Sequence, residues 1–372
     1  MNKPATILRL LTALAATLGL SLQTCLAQSQ RLRVMEYNVE NLFDTLSTAG
    51  KADHEFTPQG DYHWRQGMYR KKLSQLARVI AGVGGTSPAA LVALCEVEND
   101  SVLTHLTRRT RLHRLGYSYL ISHSPDPRGI NVALLYQPAL FRPLTTDSLR
   151  LPPPHKSLAP TRDILHVEGL IATGDTLDVF ILHLPSRKHG RHGDTYRHRM
   201  ADSLRRYADS LMATRSRPLL LFTGDFNSAP DDALFRDHLR TLPPPASTAS
   251  TDIDNRGLYL LSAALEGPDG IKGNYKYQGE WTTLDHFIVS GTLLATPPTI
   301  TDGSPAPHAQ PAGHAPHAPL PYTRGCSLVC LPCLLEADRG DNTVKPFRTF
   351  LGTHYHGGFS DHLPLFLDII LP

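Results

Sequence analysis

The stretch LLLFTGDFNS, residues 219–228, passes from an unbroken apolar run into an aspartate and an asparagine two positions apart. The pattern recurs. Asn38 closes the run in MEYNVENLFD, Glu96 closes ALCEVEN, and His183 ends the apolar part of ILHLPSR. Asp285 opens LDHFIVS, and GGFSDHLP sets Asp361 and His362 just before a last apolar segment. Taken singly, an Asn or Asp after a strand is a turn former and a lone histidine is satisfied locally. As a set, they are the groups that hydrolysis of a phosphodiester requires. A hard divalent cation offsets charge on the phosphoryl oxygens and takes oxygen ligands from one or two carboxylates plus water, which suits Glu96 with Asn38 and Asp361 as neighbours. Asp225, beside the amide of Asn227, suits orienting a water and relieving it of a proton. An imidazole such as His362, paired with Asp285, is held in one tautomer and stays cationic more easily, while His183 is placed to protonate the leaving oxygen. The expected cofactor is Mg²⁺, with Mn²⁺ or Ca²⁺ as alternatives.

These residues need strands to carry them. The run at 219, bounded by Pro218 and a Gly-Asp step, reads as a strand buried on both faces, and ligands collect where such strands end. On a strand, side chains two apart point the same way, so Asp225 and Asn227 are expected to converge. Further strands are read in RLRVMEY at 31, ALVALCE at 90, INVALLY at 130, LDVFILH at 177, LDHFIVS at 284 and LPLFLDIIL at 363. Tyr69, Leu73, Leu76, Ala77 and Ile80 recur at helical spacing, as do Met200, Leu204, Tyr207 and Leu211 after Asp194, a candidate cap. Strand and helix patterns alternate, which favours a layered α/β architecture.

The first 27 residues read as a signal peptide. Lys3 and Arg9 precede the apolar LLTALAATLGLSL, and small residues precede Gln28. Cleavage near Ala27 makes the protein exported, periplasmic or extracellular, with residues 28–372 as the mature domain. Lipidation at Cys25 is the weaker reading, and no stable membrane span is expected. Loss of Lys3 and Arg9 takes the basic count from 37 to 35 against 34 acidic residues, so bulk charge does not announce a nucleic-acid binder. A Pro/Ala/His-rich insertion at about 296–335 reads as an exposed, extended loop from Thr296 to Tyr322. Its His308, His314 and His317 are solvated imidazoles on that reading. Cys326, Cys330 and Cys333 follow, for which a disulfide is expected in an oxidising compartment and a zinc site is the lesser alternative.

MEYNVENLFD, LCEVEN, RGINVALLY, HLPSR, GDFNS, LDHFIVS and SDHLP, in this order, resemble the endonuclease/exonuclease/phosphatase superfamily, whose members share the fold of pancreatic deoxyribonuclease. DHEFTPQGDYHW and FRTFLGTHYHGGFSDHLP are similar to its exported bacterial branch. The resemblance covers about Arg31 to Ile370. It implies a four-layer sandwich of two mixed β-sheets flanked by helices, with the site at one edge. It also implies that Asn38 lies near metal and phosphate, that Glu96 and Asp361 belong to the metal site, and that Asp225 with Asn227 activates water and holds phosphate. Asp285 then orients His362, and His183 is the general acid. Leu184 and Asn131 depart from the pattern, where tryptophan and aspartate are expected, and lie near substrate on this reading. Arg128 and Arg187, with Lys188, are candidate phosphate contacts, since a guanidinium binds phosphate oxygens in bidentate fashion.

The resemblance leaves the substrate open, because one fold hosts several. The first expectation is an exported endonuclease of low sequence preference, a monomer acting on nucleic acid. The basic stretch SRKHGRHGDTYRHRMADSLRR after His183 favours it. The alternative is a phosphatase or a lipid phosphodiesterase of the sphingomyelin or phosphoinositide type.

Overall fold

A computed structural model describes residues 30–371, apart from 86, 188–189, 246–252 and 295–319. The leader with Cys25, Lys188 and the three histidines of the insertion lie outside the described residues.

Two sheets face each other. The first contains β1 (Gln30–Leu42), β2 (Leu91–Val97), β3 (Ser118–Ile121), β4 (Asn131–Tyr136), β12 (Tyr322–Leu328) and β13 (Leu365–Leu371), in the order β12-β13-β1-β2-β4-β3. The second contains β5 (Phe141–Leu149), β6 (Ile164–Ile171), β7 (Thr176–His183), β8 (Leu219–Asp225), β9 (Thr241–Leu242), β10 (Leu258–Leu260) and β11 (Asp285–Ser290), in the order β5-β6-β7-β8-β11-β10-β9. Both are mixed: β1 runs parallel to β2 and β7 parallel to β8, while β13 and β11 are antiparallel to their neighbours β1 and β8. Helices α1 (Gln66–Val83) and α2 (Asp100–Arg108) cover the outer face of the first sheet, and α3 (Gly190–Thr214) covers that of the second. This is the sandwich expected.

Period-two alternation sorts the side chains into layers. Met35, Tyr37 and Val39 pack under α1, whereas Leu32 and Val34 enter the core between the sheets. Opposite them are Leu177, Val179 and Ile181 of β7 and Leu219 and Leu221 of β8. Continuing those inward rows by one or two pleats brings Glu36 and Asn38, His183, and Thr223 and Asp225. The site is therefore the polar cap of the inter-sheet core, built by the same alternation that builds the core.

Three expectations fail locally. Tyr322–Leu328, placed at the end of the loop, is the edge strand β12, bonded to β13 across a register shift between Thr323 and Cys326. Asp194 lies inside α3, four residues after its start, and pairs with Arg197 of the same helix, so it caps nothing. Cys326, Cys330 and Cys333 are all free, and the expected disulfide is not formed. Among the described residues the cluster that approaches metal-ligand spacing holds no cysteine, and no helix is long and apolar enough to cross a membrane.

Candidate active site

Three strands of the second sheet present one row. His183 stands in register with Asp225, and Asp225 with Asp285. Gly224 permits this alignment: at φ 132° it brings the chain so close to β7 that a Cβ would lie 2.0 Å from the Leu182 carbonyl oxygen. From the first sheet, Asn38 comes from β1. Glu96 sits in a bulge of β2 between Cys95, which faces the inter-sheet core, and Val97, which faces the helices. Its φ of 66° is unusual for a residue with a side chain, and the bulge aims its carboxylate at the end of the sandwich. His362 arrives from the segment entering β13, pairing through its backbone with Tyr275.

Contacts bind these groups into one cluster. Asn38 Nδ2 donates to Asp225 Oδ2 at 3.1 Å and lies 3.5 Å from Glu96 Oε1, while its Oδ1 accepts the Glu40 N–H at 3.1 Å. His183 Nε2 stands 3.4 Å from Asp225 Oδ2 and 3.9 Å from Glu96 Oε1. Glu96 Oε2 accepts the Asn41 N–H at 2.7 Å. His362 Nδ1 donates to Asp285 Oδ2 at 2.6 Å, and Asn274 Nδ2 donates to the same oxygen.

The convergence of Asp225 and Asn227 has a different origin from the one expected. The strand stops at Asp225, and Asn227 adopts a left-handed φ of 51°. Its N–H, not its side chain, returns to Asp225 Oδ1 at 2.7 Å, an Asx-type turn, and its Nδ2 donates to the Leu184 carbonyl at 2.9 Å. Asn227 thus fixes the Asp225 carboxylate and the β7 exit.

Burial and neighbours set the protonation states. Burial above all, then the charge of Asp285, lifts the Asp225 carboxyl to about 7. Glu36, one pleat beneath Asn38, is fully buried with both carboxyl oxygens unpartnered, and burial with the negative charges of Asp285 and Asp225 holds it well above the usual range, as a neutral acid. Burial lowers His183 far below an ordinary histidine, reinforced by the positive charges of Arg162, His362 and Arg128, so its imidazole is neutral. Burial also opposes a charge on His362, but Asp285, Asp361 and Asp225 outweigh it and keep that imidazole cationic.

The donor set fits a hard cation, with Glu96 retained from among the expected ligands and Asn38 and Asp361 otherwise engaged. Asp225, Asp285 and His362 have ligand atoms within 4.8 Å of one another. A protonated imidazole has no lone pair to give, so this trio is an ion-pair relay. Asn38 turns its donor nitrogen inward because its oxygen is taken by Glu40, which makes it a hydrogen-bond donor to carboxylate or phosphate and not a metal ligand. Asp361 pairs with Arg348 Nη2 at 3.0 Å. Glu96, with Asp225 across Asn38 Nδ2 from it, would hold the cation, which when bound supplies positive charge to phosphoryl oxygens.

At the rim, Arg128 Nη2 donates to Asn41 Oδ1 at 2.7 Å. Across the site, Arg187 donates through Nε to the Asn227 carbonyl at 3.2 Å and pairs through Nη2 with Asp232 at 2.8 Å. Asn131 does not reach substrate: it is buried, its Oδ1 accepts the Ser124 N–H at 2.5 Å and its Nδ2 donates to the Glu98 carbonyl at 2.6 Å. Both ends of that amide hold its own loop. Sequence reasoning missed Asn274, Tyr275, Arg348 and Arg162. Arg162 donates to the His183 and Leu184 carbonyls at 3.1 and 2.9 Å. Asn274 and Tyr275 lie in a turn-rich stretch with no apolar run to mark it, whereas Arg348 lies inside FRTFLGTHYHGGFSDHLP and was open to notice.

A buried carboxylate whose protonation falls near neutrality, a neutral and a cationic histidine, and a partly exposed carboxylate beside them are the donor set of a metal-dependent phosphoester hydrolase. The chain belongs to the endonuclease/exonuclease/phosphatase family, whose model matches residues 33–300. Its fold is similar to that of a family member from Bacteroides thetaiotaomicron, with a TM-score of 0.54, 13% identity and coverage of 93% of this chain and 99% of that one. A mannosyl-6-phosphatase from the same organism gives a TM-score of 0.52 at 13% identity, covering 91% and 99%. TDP2 from Caenorhabditis elegans, as a truncated chain, gives 0.51 at 15% identity, covering 91% and 97%. Among curated proteins none matches the sequence.

Proposed function

We propose that the protein is an exported, Mg²⁺-dependent phosphodiester hydrolase that cuts nucleic acid with little sequence preference. The observation that carries this reading is a floor of Asn38, Glu96, Asp225, His183 and His362 bracketed by arginines, Arg128 on the side of the first sheet and Arg187 on that of the second. Cations flanking a hydrolytic floor grip a phosphate backbone, which carries no sequence information. In the reaction, Asp225 takes the proton of a water held beside it. The Asn38 amide and the His362 cation meet the charge that develops on the phosphoryl oxygens. His183, neutral at rest, faces the site through Nε2 at 3.4 Å from Asp225 Oδ2; the proton that Asp225 takes from water passes to that nitrogen and from it to the leaving oxygen. The mature chain starts near Gln28 and acts as a monomer.

Supercoiled plasmid incubated with the mature protein tests this. Nicking with Mg²⁺ and none with a chelator is the expected result. Intact plasmid alongside hydrolysis of a sugar phosphate or a lipid phosphodiester would replace nucleic acid as the substrate.

A further inference from the structure

Two buried ionisable side chains fix the segment Phe347–Leu351 to the wall of the site. Glu40, at a left-handed position near the end of β1 with φ 49°, accepts the N–H of Thr349 at 2.6 Å and that of Phe350 at 3.3 Å. Lys72 reaches from α1 to the Glu40 carbonyl at 2.7 Å and to Thr349 Oγ1 at 2.5 Å. On the other side the chain doubles back, and the Gly358 N–H donates to the Arg348 carbonyl at 2.9 Å. The approach is so tight that a Cβ on Gly358 would stand 2.2 Å from the Phe347 carbonyl oxygen. Burying Glu40 and Lys72 is costly unless their partners are well placed. Here they are, and the residue whose backbone they lock is Arg348.

Arg348 uses few of its donors. Nη2 meets Asp361 Oδ2 at 3.0 Å, Nε lies 3.9 Å from Glu40 Oε1 without a hydrogen bond, and a third of the side chain, 34%, is exposed. Burial would weaken its charge, but the fields of Asp361, Glu40, Tyr275 and Glu96 outweigh it; the bond to Asp361, the residue before His362, places the guanidinium beside the site. Tyr275 joins it there: its ring lies 4.8 Å from that of His362, with which it also pairs through the backbone. A guanidinium presents five N–H donors in a planar fork matched to phosphate oxygens, and most of this fork is unclaimed.

We infer that Arg348 is a substrate-binding residue whose free donors take a non-bridging oxygen of the scissile phosphate, with the Tyr275 hydroxyl beside it. The inference rests on the phosphoester reading of the same site and adds a third arginine to the rim, on the His362 side. The competing role is neutralisation of Glu40 and Asp361 alone.

The test uses the mature protein with Mg²⁺, bis(p-nitrophenyl) phosphate as substrate, and inorganic phosphate as competitive inhibitor. Arg348→Ala should lower kcat/KM about a hundredfold or more, the size of effect seen when one donor to a developing oxyanion is removed. It should also raise the inhibition constant of phosphate at least about tenfold, since a charge-assisted contact is lost. Added guanidinium ion should restore part of the rate. Arg348→Lys keeps the charge without the fork and should recover little of the phosphate affinity, whereas a purely neutralising role predicts near-complete recovery. Thermal melting of each variant checks folding, and if Arg348→Ala does not fold, Arg348→Lys carries the test alone. Unchanged phosphate inhibition in folded variants, or full recovery with lysine, would overturn the inference. Absence of any turnover by the parent protein would instead strike the proposed function. Phosphate binding measured by calorimetry in the presence of Mg²⁺ would still judge Arg348.

Discussion

Two histidines stand at opposite ends of one row of carboxylates, equally buried, one neutral and one cationic. His183, at the end of β7, has Arg162, Arg128 and His362 around it, and its closest carboxylate, Asp225 at 3.4 Å, has itself been lifted to about 7 and offers less than a full charge. His362, before β13, is bonded to Asp285 at 2.6 Å and sits near Asp361. Burial opposes a charge on both imidazoles; the neighbouring charges reinforce it at His183 and overcome it at His362. A phosphoryl-transfer site uses both states: one imidazole free to gain and lose a proton, the other a fixed cation.

The comparison can be broken at its centre first. Asp225→Asn removes the carboxylate that both histidines face and the expected water-activating base, so activity should fall by about four orders of magnitude. Steady-state hydrolysis measures it, and a variant within tenfold of the parent would show that another group activates the water. Asp285→Asn attacks only the His362 end. The rate should drop about a thousandfold, as for loss of a positioned charge at a developing oxyanion. Carbon-13 or nitrogen-15 shifts of His362 should report loss of its proton near neutral pH, and an imidazole still cationic would refute the assignment of Asp285. His183→Ala attacks the other end, with a cost of about a hundredfold on substrates with poor leaving groups. That cost should vanish with p-nitrophenolate, which leaves without protonation, and an equal loss on both kinds of substrate would deny His183 the role of acid.

A third buried histidine sharpens the comparison and carries the smallest effect. His286 has no carboxylate partner in hydrogen-bond contact; its ring nitrogens meet Ser262 Oγ at 2.8 Å and the Ser228 carbonyl at 2.9 Å, and burial lowers its pKa to about 4. A base whose folded pKa lies below its unfolded value binds protons more readily when unfolded. Stability tied to His286 is therefore present above about 6.5 and is lost as the pH falls toward 4, with about 2 kcal/mol gone at pH 5. Urea unfolding at pH 7 and pH 5, compared with His286→Asn, should show that difference in the parent and not in the variant. Parallel pH dependences would mean that His286 is not held neutral.

Much of this was legible in the sequence, for a definite reason. LLLFTGD is the strand Leu219–Asp225, buried throughout, because a continuous apolar run suits a central strand and little else of that length. The polar ends of such runs then became the site, since the period-two rows that fill the inter-sheet core finish in Asn38, His183 and Asp225. What stayed hidden depends on local backbone or distant partners. Phe141–Leu149 is an edge strand carrying Pro143 and a mostly exposed polar run, so it lacks an apolar signature. The left-handed turn that makes Asn227 serve Asp225 through its backbone, and the bulge that aims Glu96, leave no periodic trace. Asn131 read as a residue near substrate and is sealed in, while Arg348 drew no reading and is locked beside Asp361; only the assembled chain places them.

The central claim is that Glu96 is where a divalent cation meets this cluster. The most direct measurement is anomalous diffraction from a crystal of the protein soaked in Mn²⁺. The predicted result is a single strong peak within about 2.3 Å of a Glu96 carboxylate oxygen, a normal metal–oxygen bond, and its disappearance in Glu96→Gln. A peak confined to other carboxylates, with hydrolysis persisting in Glu96→Gln, would contradict the account.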